Sequence, residues 1–460
     1  MDFRREHDLL GERDVPATAY GGIHTMRAKE NFTLSRLTIE PGLVKAIAMV
    51  KKACCETNRE LGFLDTEKAN AIAGACSEIM SGKLGDQFSL DALQGGAGTS
   101  TNMNVNEVVA NRALELLGKN KGDYREIHPL DHVNLHQSTN DVYPTALKIA
   151  AIFAVRKISV AAALLQGALQ KKEQEFAGIV CIGRTEMQDA IPMTLGAQFA
   201  SFADATGRDR WRTFKCEERL RVVNIGGTAI GTGLTAPRRY IFMVIEKLRE
   251  ITGLGLTRAE NVLDQTANAD SYVEVAGMIA AHAVDIQKIS NDLRLLHDRG
   301  EITLPAAQAG SSIMPGKINP VVCEAAISAA IKVKSNCAVV TETASLGTLQ
   351  INEFLPLLGH SLLEAAGILA ACDEMLARHI DGIMANAETC RNHVDGSISI
   401  ITAFLPLIGY EKAQELVKEY SLKHDGTFSA FLELNLGKEA VDRTLSPQNL
   451  MSLGYQDRAQ

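Results

Sequence analysis

Apolar residues recur along the chain with the spacing of long α-helices. One stripe covers residues 275–296 in alternating steps of four and three, and a second covers residues 358–376 in the same way. Such steps place the side chains on one face of a helix. Residues 321–340 lack glycine and proline, and residues 143–176 carry Pro144 where we expect the first turn. Together these segments predict four long helices in an up-and-down bundle.

The segments on either side of this bundle are less periodic. Residues before the bundle mix short apolar runs with glycine-rich loops, and those after it form shorter helical stretches separated by glycines. The sequence therefore predicts a mainly α protein with three domains. These are a mixed N-terminal domain at residues 1–138, a central helix bundle at 139–395 and a small helical C-terminal domain at 396–460.

Composition and charge limit the classes of partner. The 460 residues include 47 Lys+Arg and 55 Asp+Glu, a net charge of −8, which gives no electrostatic reason to expect nucleic acid or an anionic membrane as partner. The nine cysteines form no CxxC pair, and the N-terminus is charged, as expected for reduced thiols in the cytoplasm. The apolar run at 396–410 is short and contains Pro406, so we expect a soluble protein without a membrane span.

The segment 310–320 has the most unusual chemistry. Its glycines permit rare backbone angles, and prolines stiffen it near Lys317 and Asn319, two hydrogen-bond donors. Ser311 and Ser312 lie beside them, so the segment offers a base or nucleophile next to a fixed positive charge. From these residues alone, a surface loop that joins two helices is the more common interpretation, and composition does not establish catalysis.

Two further clusters, at residues 98–104 and 136–141, are rich in hydroxyl and amide groups. Such groups can hold a small carboxylate through neutral donors, although each cluster alone is also typical of a helix cap. Three polar clusters in one chain favour a shared pocket for a small polyanion. His128, His132 and His136 recur at the spacing of metal ligands on a helix, but Pro129 interrupts that helix, and we predict no metal site.

These motifs resemble those of the aspartase/fumarase superfamily over nearly the whole chain. Residues 310–320 are similar to the signature loop of that family, and other family-like segments follow in the expected order. They lie at residues 6–8, 15–16, 31–32, 98–107, 128–134, 137–141, 183–189 and 231–234. The resemblance implies a three-domain fold whose bundles assemble into a tetramer with a twenty-helix core. In that family each active site takes loops from three subunits of the homotetramer.

Within the superfamily, residues 95–100 are similar to the aspartase version of the motif. The resemblance therefore implies reversible anti elimination of ammonia from L-aspartate to give fumarate, through an aci-carboxylate intermediate. The substrate would be a small dicarboxylate or amino acid, and no cofactor is implied. Activation by a divalent metal ion cannot be derived from the sequence.

The resemblance also implies roles for individual residues. Ser311 would be the general base, with its alkoxide stabilised by backbone N–H groups and positive charge. Asn140 would face the amino group of the substrate. The α-carboxylate would be bound by Thr185, Lys317 and Asn319, and the β-carboxylate by Thr99, Ser138, Thr139 and Ser312.

Glu186 departs from the family pattern, which often has histidine or glutamine there. The resemblance places Glu186 opposite Glu324, and two close carboxyls either share a proton or hold a cation between them. A cationic leaving group suits this pair better than hydroxide, so fumarate hydratase is the less favoured alternative. A related lyase of another amino acid or of a betaine, such as the ergothionase type that releases trimethylamine, stays open. A catalytically silent protein with the same fold is a third possibility.

Overall fold

The structure, a computed structural model, describes residues 2–423 and 426–455. Most of this part of the chain is helical, which confirms the predicted mainly α class. The α-helices are α1 (Ile23–Asn31), α2 (Pro41–Glu60), α3 (Thr66–Met80), α4 (Thr99–Leu116), α5 (Thr139–Glu175), α6 (Leu195–Leu220), α7 (Arg238–Thr252), α8 (Val262–Ala267), α9 (Asp270–Asp298), α10 (Val321–Ala344), α11 (Leu355–Asp381), α12 (Ala387–Gly396), α13 (Leu405–Lys423), α14 (Phe428–Leu436), α15 (Lys438–Thr444) and α16 (Pro447–Met451).

The strands of the described residues form small two-stranded ladders. Three ladders are antiparallel, and the one formed by β5 and β6 is parallel. The strands are β1 (Phe3–Asp8), β2 (Gly11–Pro16), β3 (Val180–Thr185), β4 (Gln188–Thr194), β5 (Val222–Val223), β6 (Thr257–Arg258), β7 (Ile302–Thr303) and β8 (Met384–Ala385). None of these ladders is large enough to form a layer of its own, so helix packing supplies most of the core.

Helices α5, α9, α10 and α11 correspond to the four long helices that the periodicity predicts. A fifth long helix, α6, was missed by the sequence analysis. Its buried residues include Phe199, Phe202 and Cys216. The charged run at residues 208–212 interrupts this apolar stripe, and the period is therefore hard to see in the sequence.

The position of Pro144 differs from the expectation. Helix α5 begins at Thr139, so the proline lies in the second turn rather than the first. Proline has no N–H, and the carbonyl of Asn140 therefore loses its helical partner. The side-chain amide of Asn224 donates to that carbonyl instead, at 2.9 Å. The buried Asn224 thus replaces the missing helical hydrogen bond.

Contacts divide the chain into two compact units. The first comprises residues 1–159, 211–281 and 332–369, and the second comprises residues 160–210, 282–331 and 370–460. This division does not coincide with the three predicted domains, which stay a prediction; residues 456–460 of the third lie outside the described residues. Within the second unit, Ile182 and the helices of the C-terminal region share one apolar core, which includes Phe404, Leu416 and Phe428.

Two helices, α5 and α11, are long and apolar enough to cross a membrane by length and composition alone. A third candidate arises if the helices on either side of an 80° bend near residue 397 are counted as one span. The expectation of no membrane span rests on uninterrupted apolar runs, whereas these helices meet the threshold by mean hydropathy over 18 residues. The absence of a span stays a prediction. Half of the α5 window and 67% of the α11 window are buried inside the protein, so much of this apolar surface contributes to helix packing.

The nine cysteines are all free and buried. Burial raises the pKa of each thiol, to about 12 for Cys54, so these side chains are protonated near neutral pH. They therefore pack as small apolar residues.

Candidate active site

The first polar cluster, at residues 98–104, forms the start of α4. Thr99 is the first residue of the helix, and Gly98 precedes it with φ of +90°. A Cβ at Gly98 would lie 2.2 Å from the ring of Tyr143, so only glycine allows this close approach. The Thr99 side chain is exposed at the helix N-terminus, where backbone N–H groups favour an anion.

The second cluster forms the start of α5. The hydroxyl of Ser138 accepts a hydrogen bond from the backbone N–H of Asn140 at 3.2 Å, and Asp141 accepts one from the N–H of Ser138 at 2.9 Å. This is a reciprocal cap of the helix, as the alternative interpretation of the cluster expected. The side-chain amide of Asn140 donates to the carbonyl of Ala229 at 2.7 Å. Hydrogen bonds within the segment and to the carbonyl of Ala229 therefore fix the start of α5.

The two clusters meet through Asn102. Its buried side-chain amide donates to the hydroxyl oxygen of Thr139 at 3.1 Å, joining α4 to α5 within the first unit. Because the Thr139 oxygen accepts this bond, its O–H points away from Asn102 and is available to donate to another group. A hydroxyl in that state suits a carboxylate, which only accepts hydrogen bonds.

The carboxyl of Asp141 lies behind this segment and is fully buried. It also accepts hydrogen bonds from the backbone N–H groups of Gly226 at 3.1 Å and Thr228 at 2.9 Å. Burial raises its pKa to about 7, although these backbone bonds and the charge of Lys51 act in the opposite direction. The contacts fix the start of α5 to the loop at residues 226–228.

We expect Asp141→Asn to lower the free energy of unfolding by about 2–4 kcal/mol, because its amide group would face backbone N–H groups that need an acceptor. Denaturant unfolding followed by circular dichroism measures this change. Asp131→Asn is the matched control, since the Asp131 side chain is 80% exposed, and its stability is expected to stay within about 0.5 kcal/mol of wild type. Equal stability of the two variants would contradict the inferred role of Asp141.

The segment at residues 310–320 is an exposed loop in the second unit. Hydrogen bonds join its two ends, and these bonded ends form the neck of the loop. The N–H of Gly310 donates to the carbonyl of Lys317 at 2.8 Å, and the Asn319 amide donates to the carbonyl of Gly310 at 2.8 Å. A Cβ at Gly310 would lie 2.7 Å from that Lys317 oxygen, so the neck requires glycine. Ser312 and the Lys317 side chain are exposed on the loop.

The hydroxyl oxygen of Ser311 accepts two backbone hydrogen bonds within this loop. They come from the N–H of Met314 at 2.8 Å and from the N–H of Ile313 at 3.2 Å. Two N–H dipoles directed at one oxygen favour its negatively charged form. The geometry therefore supplies the kind of stabilisation that a serine base requires.

Thr185 and Glu186 lie at the tip of the hairpin formed by β3 and β4. Thr185 pairs with Gln188, and the two turn residues, Glu186 and Met187, have φ of +51° and +65°. A turn with two positive φ values prefers the residues Asn-Gly. Glu186 and Met187 therefore hold a strained backbone conformation, which costs of order 1–3 kcal/mol per residue. Such strained positions concentrate at functional sites, and Glu186 presents an exposed carboxylate there.

Arg184 anchors the end of β3 beside this turn. Its guanidinium forms a paired contact with the buried carboxylate of Glu301, which also lies 2.8 Å from a ring nitrogen of His393. Burial alone would raise the pKa of Glu301, but the bonds from Arg184 and His393 outweigh burial and hold that pKa below its usual value. The charge pair fixes the strand that carries Thr185.

Comparison with known proteins shows the family to which the chain belongs. A family model described as lyase matches residues 11–334. The chain belongs to the aspartase/fumarase superfamily. It is 44% identical to aspartate ammonia-lyase of Escherichia coli (strain K12), over 99% of this chain and 97% of that protein. It is 40% identical to aspartate ammonia-lyase of a Bacillus species, over 99% of both chains.

Solved structures of the superfamily share the fold. The crystal structure of fumarate lyase:delta crystallin from Brucella melitensis bound to cobalt has a TM-score of 0.94 and 43% identity, and covers 98% of this chain and 100% of that one. Recombinant class II fumarase from Schistosoma mansoni has a TM-score of 0.91 and 32% identity, over 97% of this chain and 99% of that one. The superfamily fold therefore extends over nearly the whole chain.

The superfamily pairing of Glu186 with Glu324 stays a prediction. Glu324 lies in the first turn of α10, and both side chains are exposed in the second unit. Within residues 2–423 and 426–455, no hydrogen bond or ion pair joins the two carboxyls. The other predicted site residues divide between the units. Thr99, Ser138, Thr139 and Asn140 lie in the first, and Thr185, Ser311, Ser312, Lys317 and Asn319 lie in the second.

The three histidines that share a spacing of four do not converge. Residues 129–133 form a π-helix, so the spacing does not place the rings on one face. A ring nitrogen of His132 accepts from the backbone of His128 at 2.8 Å, and a ring nitrogen of His136 lies 2.7 Å from the amide oxygen of Asn58. In the described part of the chain, no group of three or more His, Cys, Asp or Glu side chains is arranged to hold a metal ion.

The residues that support the candidate site were not predicted from the sequence. Asn102 and Asn134 lie within recognised motifs but were given no role, and Lys51 lies outside those motifs. Lys51 follows Ile47 by four residues and precedes Cys54 by three, which places a charge on the apolar face of α2. That mismatch is a signal that the sequence alone could have provided.

Proposed function

We propose that this protein is an aspartate ammonia-lyase, which converts L-aspartate to fumarate and ammonia by reversible anti elimination. The observation that carries the proposal is the Ser311 oxygen, held by two backbone N–H groups in a loop that also carries Lys317. Relatives at 40–44% identity over nearly the full chain are aspartate ammonia-lyases, which supports this substrate. The reaction makes the protein a carbon–nitrogen lyase.

In the proposed reaction, the Ser311 alkoxide removes a proton from the carbon beside the β-carboxylate. The electron pair of the broken C–H bond moves into that carboxylate and gives the aci-carboxylate dianion. The dianion then collapses to a carbon–carbon double bond, and the C–N bond breaks with release of ammonia. Serine is a very weak acid, so the bonds from Ile313 and Met314 supply part of the stabilisation that the alkoxide needs.

The remaining residues bind the substrate in this proposal. Donors on α4, α5 and the loop hold the β-carboxylate, where charge accumulates; they are Thr99, Ser138, Thr139 and Ser312. The α-carboxylate is held by Thr185, Lys317 and Asn319. Asn140 faces the amino group. These bonds favour the dianion over the substrate, and such a difference is what accelerates a reaction. No step uses a cofactor, and turnover with and without a chelator tests activation by a divalent cation.

We propose a cytoplasmic homotetramer in which three subunits contribute to each active site. Large apolar side chains are exposed on the long helices of a single chain, as expected for surfaces that become buried on assembly. They include Val160, Leu164, Trp211, Phe214, Val284 and Ile331. The proposal includes neither a nucleic-acid partner nor a membrane. Light scattering of the purified protein tests the subunit number.

The test of function is incubation of the purified protein with L-aspartate. Fumarate has a conjugated double bond, so its formation is followed by ultraviolet absorbance, and ammonia is measured in the same sample. Equal amounts of the two products are expected. Formation of neither from aspartate, or the appearance of fumarate from malate instead, would contradict the proposal.

A second candidate function follows from Glu186. A carboxylate at the tip of the hairpin favours a cationic leaving group, which is also a property of lyases that act on another amino acid or on a betaine and release trimethylamine. Release of an amine from such a substrate, with no product from aspartate, would support this candidate over the first.

We expect Glu186→Gln to raise the KM for L-aspartate about tenfold and to change the acidic limb of the pH–rate profile, because a negative charge near the substrate ammonium is lost. Initial rates over a range of pH measure both effects. Glu439→Gln, on α15, serves as the matched control and is expected to behave as wild type. An unchanged profile in Glu186→Gln would assign Glu186 a structural role only.

A further inference from the structure

Lys51 is a buried cation behind the carboxylate-binding segment of α5. It lies on α2 with 0% of its surface exposed. Its ammonium group donates to the side-chain oxygen of Asn134 at 2.7 Å and to that of Gln137 at 2.9 Å. Both acceptors are neutral amides, so the contacts of this charge are not with a carboxylate. A buried charge without a paired carboxylate is costly to keep in a fold.

A chain of hydrogen bonds connects Lys51 to Thr139. The same oxygen of Asn134 accepts from the side-chain amide of Asn102 at 3.2 Å, and that amide also donates to the Thr139 hydroxyl at 3.1 Å. The amide of Asn106 donates to Asn134 as well, at 3.2 Å. Asn134 is therefore the common acceptor that fixes Lys51 and Asn102 relative to each other.

Gln137 gives a second connection to the same segment. Its side-chain oxygen faces Lys51, so its amide group is turned towards the carbonyls of Val133 and Leu135, at 3.0 and 3.2 Å. This fixes the turn that leads directly into Ser138. Lys51 thus determines the amide orientation of Asn134 and Gln137, two residues of the segment that leads into α5.

The electrostatic surroundings of Lys51 agree with such a role. Burial lowers its pKa to about 7, while Cys54, Asp141 and Cys76 act to raise it. The amine can donate hydrogen bonds in both protonation states, so the two amide contacts persist.

We propose that Lys51 is a positioning residue for the carboxylate site, acting through Asn134 and Asn102 to direct the Thr139 hydroxyl towards the substrate. This inference rests on the proposed role of Thr139 in binding the β-carboxylate. Lys51 itself does not touch the substrate in this arrangement. The hydrogen-bond chain predicts that Lys51 and Thr139 act as one unit, and energetic coupling between them can be measured.

A double-mutant cycle tests the proposal. We expect Lys51→Met, which keeps the volume but removes the donors, to lower kcat/KM for L-aspartate about 30-fold in the wild-type background. In the Thr139→Val background the same change is expected to lower kcat/KM less than about threefold, because the group it orients is absent. Additive losses would overturn the proposal, since a general effect on folding would act equally in both backgrounds.

Lys148→Met is the matched control. Lys148 is also a buried lysine of the first unit, but its ammonium donates to the carbonyl of Val222 at 2.7 Å and to the side chain of Gln265 at 2.6 Å. We expect this variant to lose stability to a similar extent and to retain kcat/KM within about threefold. A loss of kcat/KM equal to that of Lys51→Met would show that any buried lysine has this effect.

Two additions keep the test decisive. If Lys51→Met does not fold into the native oligomer, the cycle is repeated with Asn102→Ala and Thr139→Val. The same non-additivity is expected, and additive losses would contradict the proposed chain of hydrogen bonds. If the wild-type protein does not turn over aspartate, the proposed function fails, and the cycle is measured on the Kd of succinate, a dicarboxylate that needs no turnover. Additive changes in that Kd would overturn the role of Lys51 independently.

Discussion

Ser311→Ala is expected to lower kcat for L-aspartate by at least about 10³-fold with a small change in KM. The loss arises because the variant has no group to remove the β-proton, while the groups that bind the carboxylates are unchanged. The remaining contacts of the loop neck, between Gly310, Lys317 and Asn319, do not involve the serine hydroxyl. Steady-state kinetics of the purified variant measure the effect.

Ser421→Ala is the matched control for this experiment. The Ser421 hydroxyl is exposed and donates to the carbonyl of Val417 one turn earlier in α13, far along the chain from the loop. It is expected to retain wild-type kinetics. Circular dichroism and light scattering show whether each variant keeps its helix content and subunit number. Residual turnover within about tenfold of wild type would remove Ser311 from the role of base.

Lys317→Met is expected to lower kcat/KM by about 10²-fold, mainly through a higher KM. Its exposed ammonium is the cation that the loop offers to the α-carboxylate, and methionine keeps the length of the side chain without the charge. Because the interaction is made in both substrate and transition state, kcat is expected to fall less than kcat/KM. Initial rates over a range of aspartate concentrations separate the two effects.

The control for this charge is Lys412→Met, on α13. Lys412 is also exposed, and it forms a surface ion pair with Glu415 at 3.1 Å, a contact of small energy. Kinetics equal to wild type are expected. A KM that stays unchanged in Lys317→Met would show that the α-carboxylate is bound elsewhere.

Periodicity predicted the helices whose apolar stripes are uninterrupted. Helices α9 and α11 bury one continuous face, so their sequences reveal the period directly. Helix α6 has a charged run at 208–212 and was missed. The start of α5 was also misplaced, because the bond that compensates Pro144 comes from Asn224, 84 positions after the carbonyl that accepts it. The sequence around Pro144 gives no signal that identifies such a distant partner.

The motifs of the candidate site were predicted from the sequence, but the residues that support those motifs were not. Family resemblance named Ser311 and Thr139, and the structure adds the backbone and side-chain donors directed at their oxygens. The roles of these residues in the reaction stay predictions. Asn134 could not be predicted, because its function depends on three donors that approach from α2 and α4. Packing between distant segments decides such contacts, and no spacing rule describes it.

The bonds between the start of α5 and the loop at 224–228 have a consequence for motion. Local opening of that loop would break, at the same time, the bond from Asn224 to the carbonyl of Asn140 and the two bonds from the loop N–H groups to the carboxylate of Asp141. Opening either segment alone is therefore costly, and the two open together or remain closed. The amide protons of Ser138, Gly226 and Thr228 would then exchange with solvent at a common rate, as one cooperative unit of the native state.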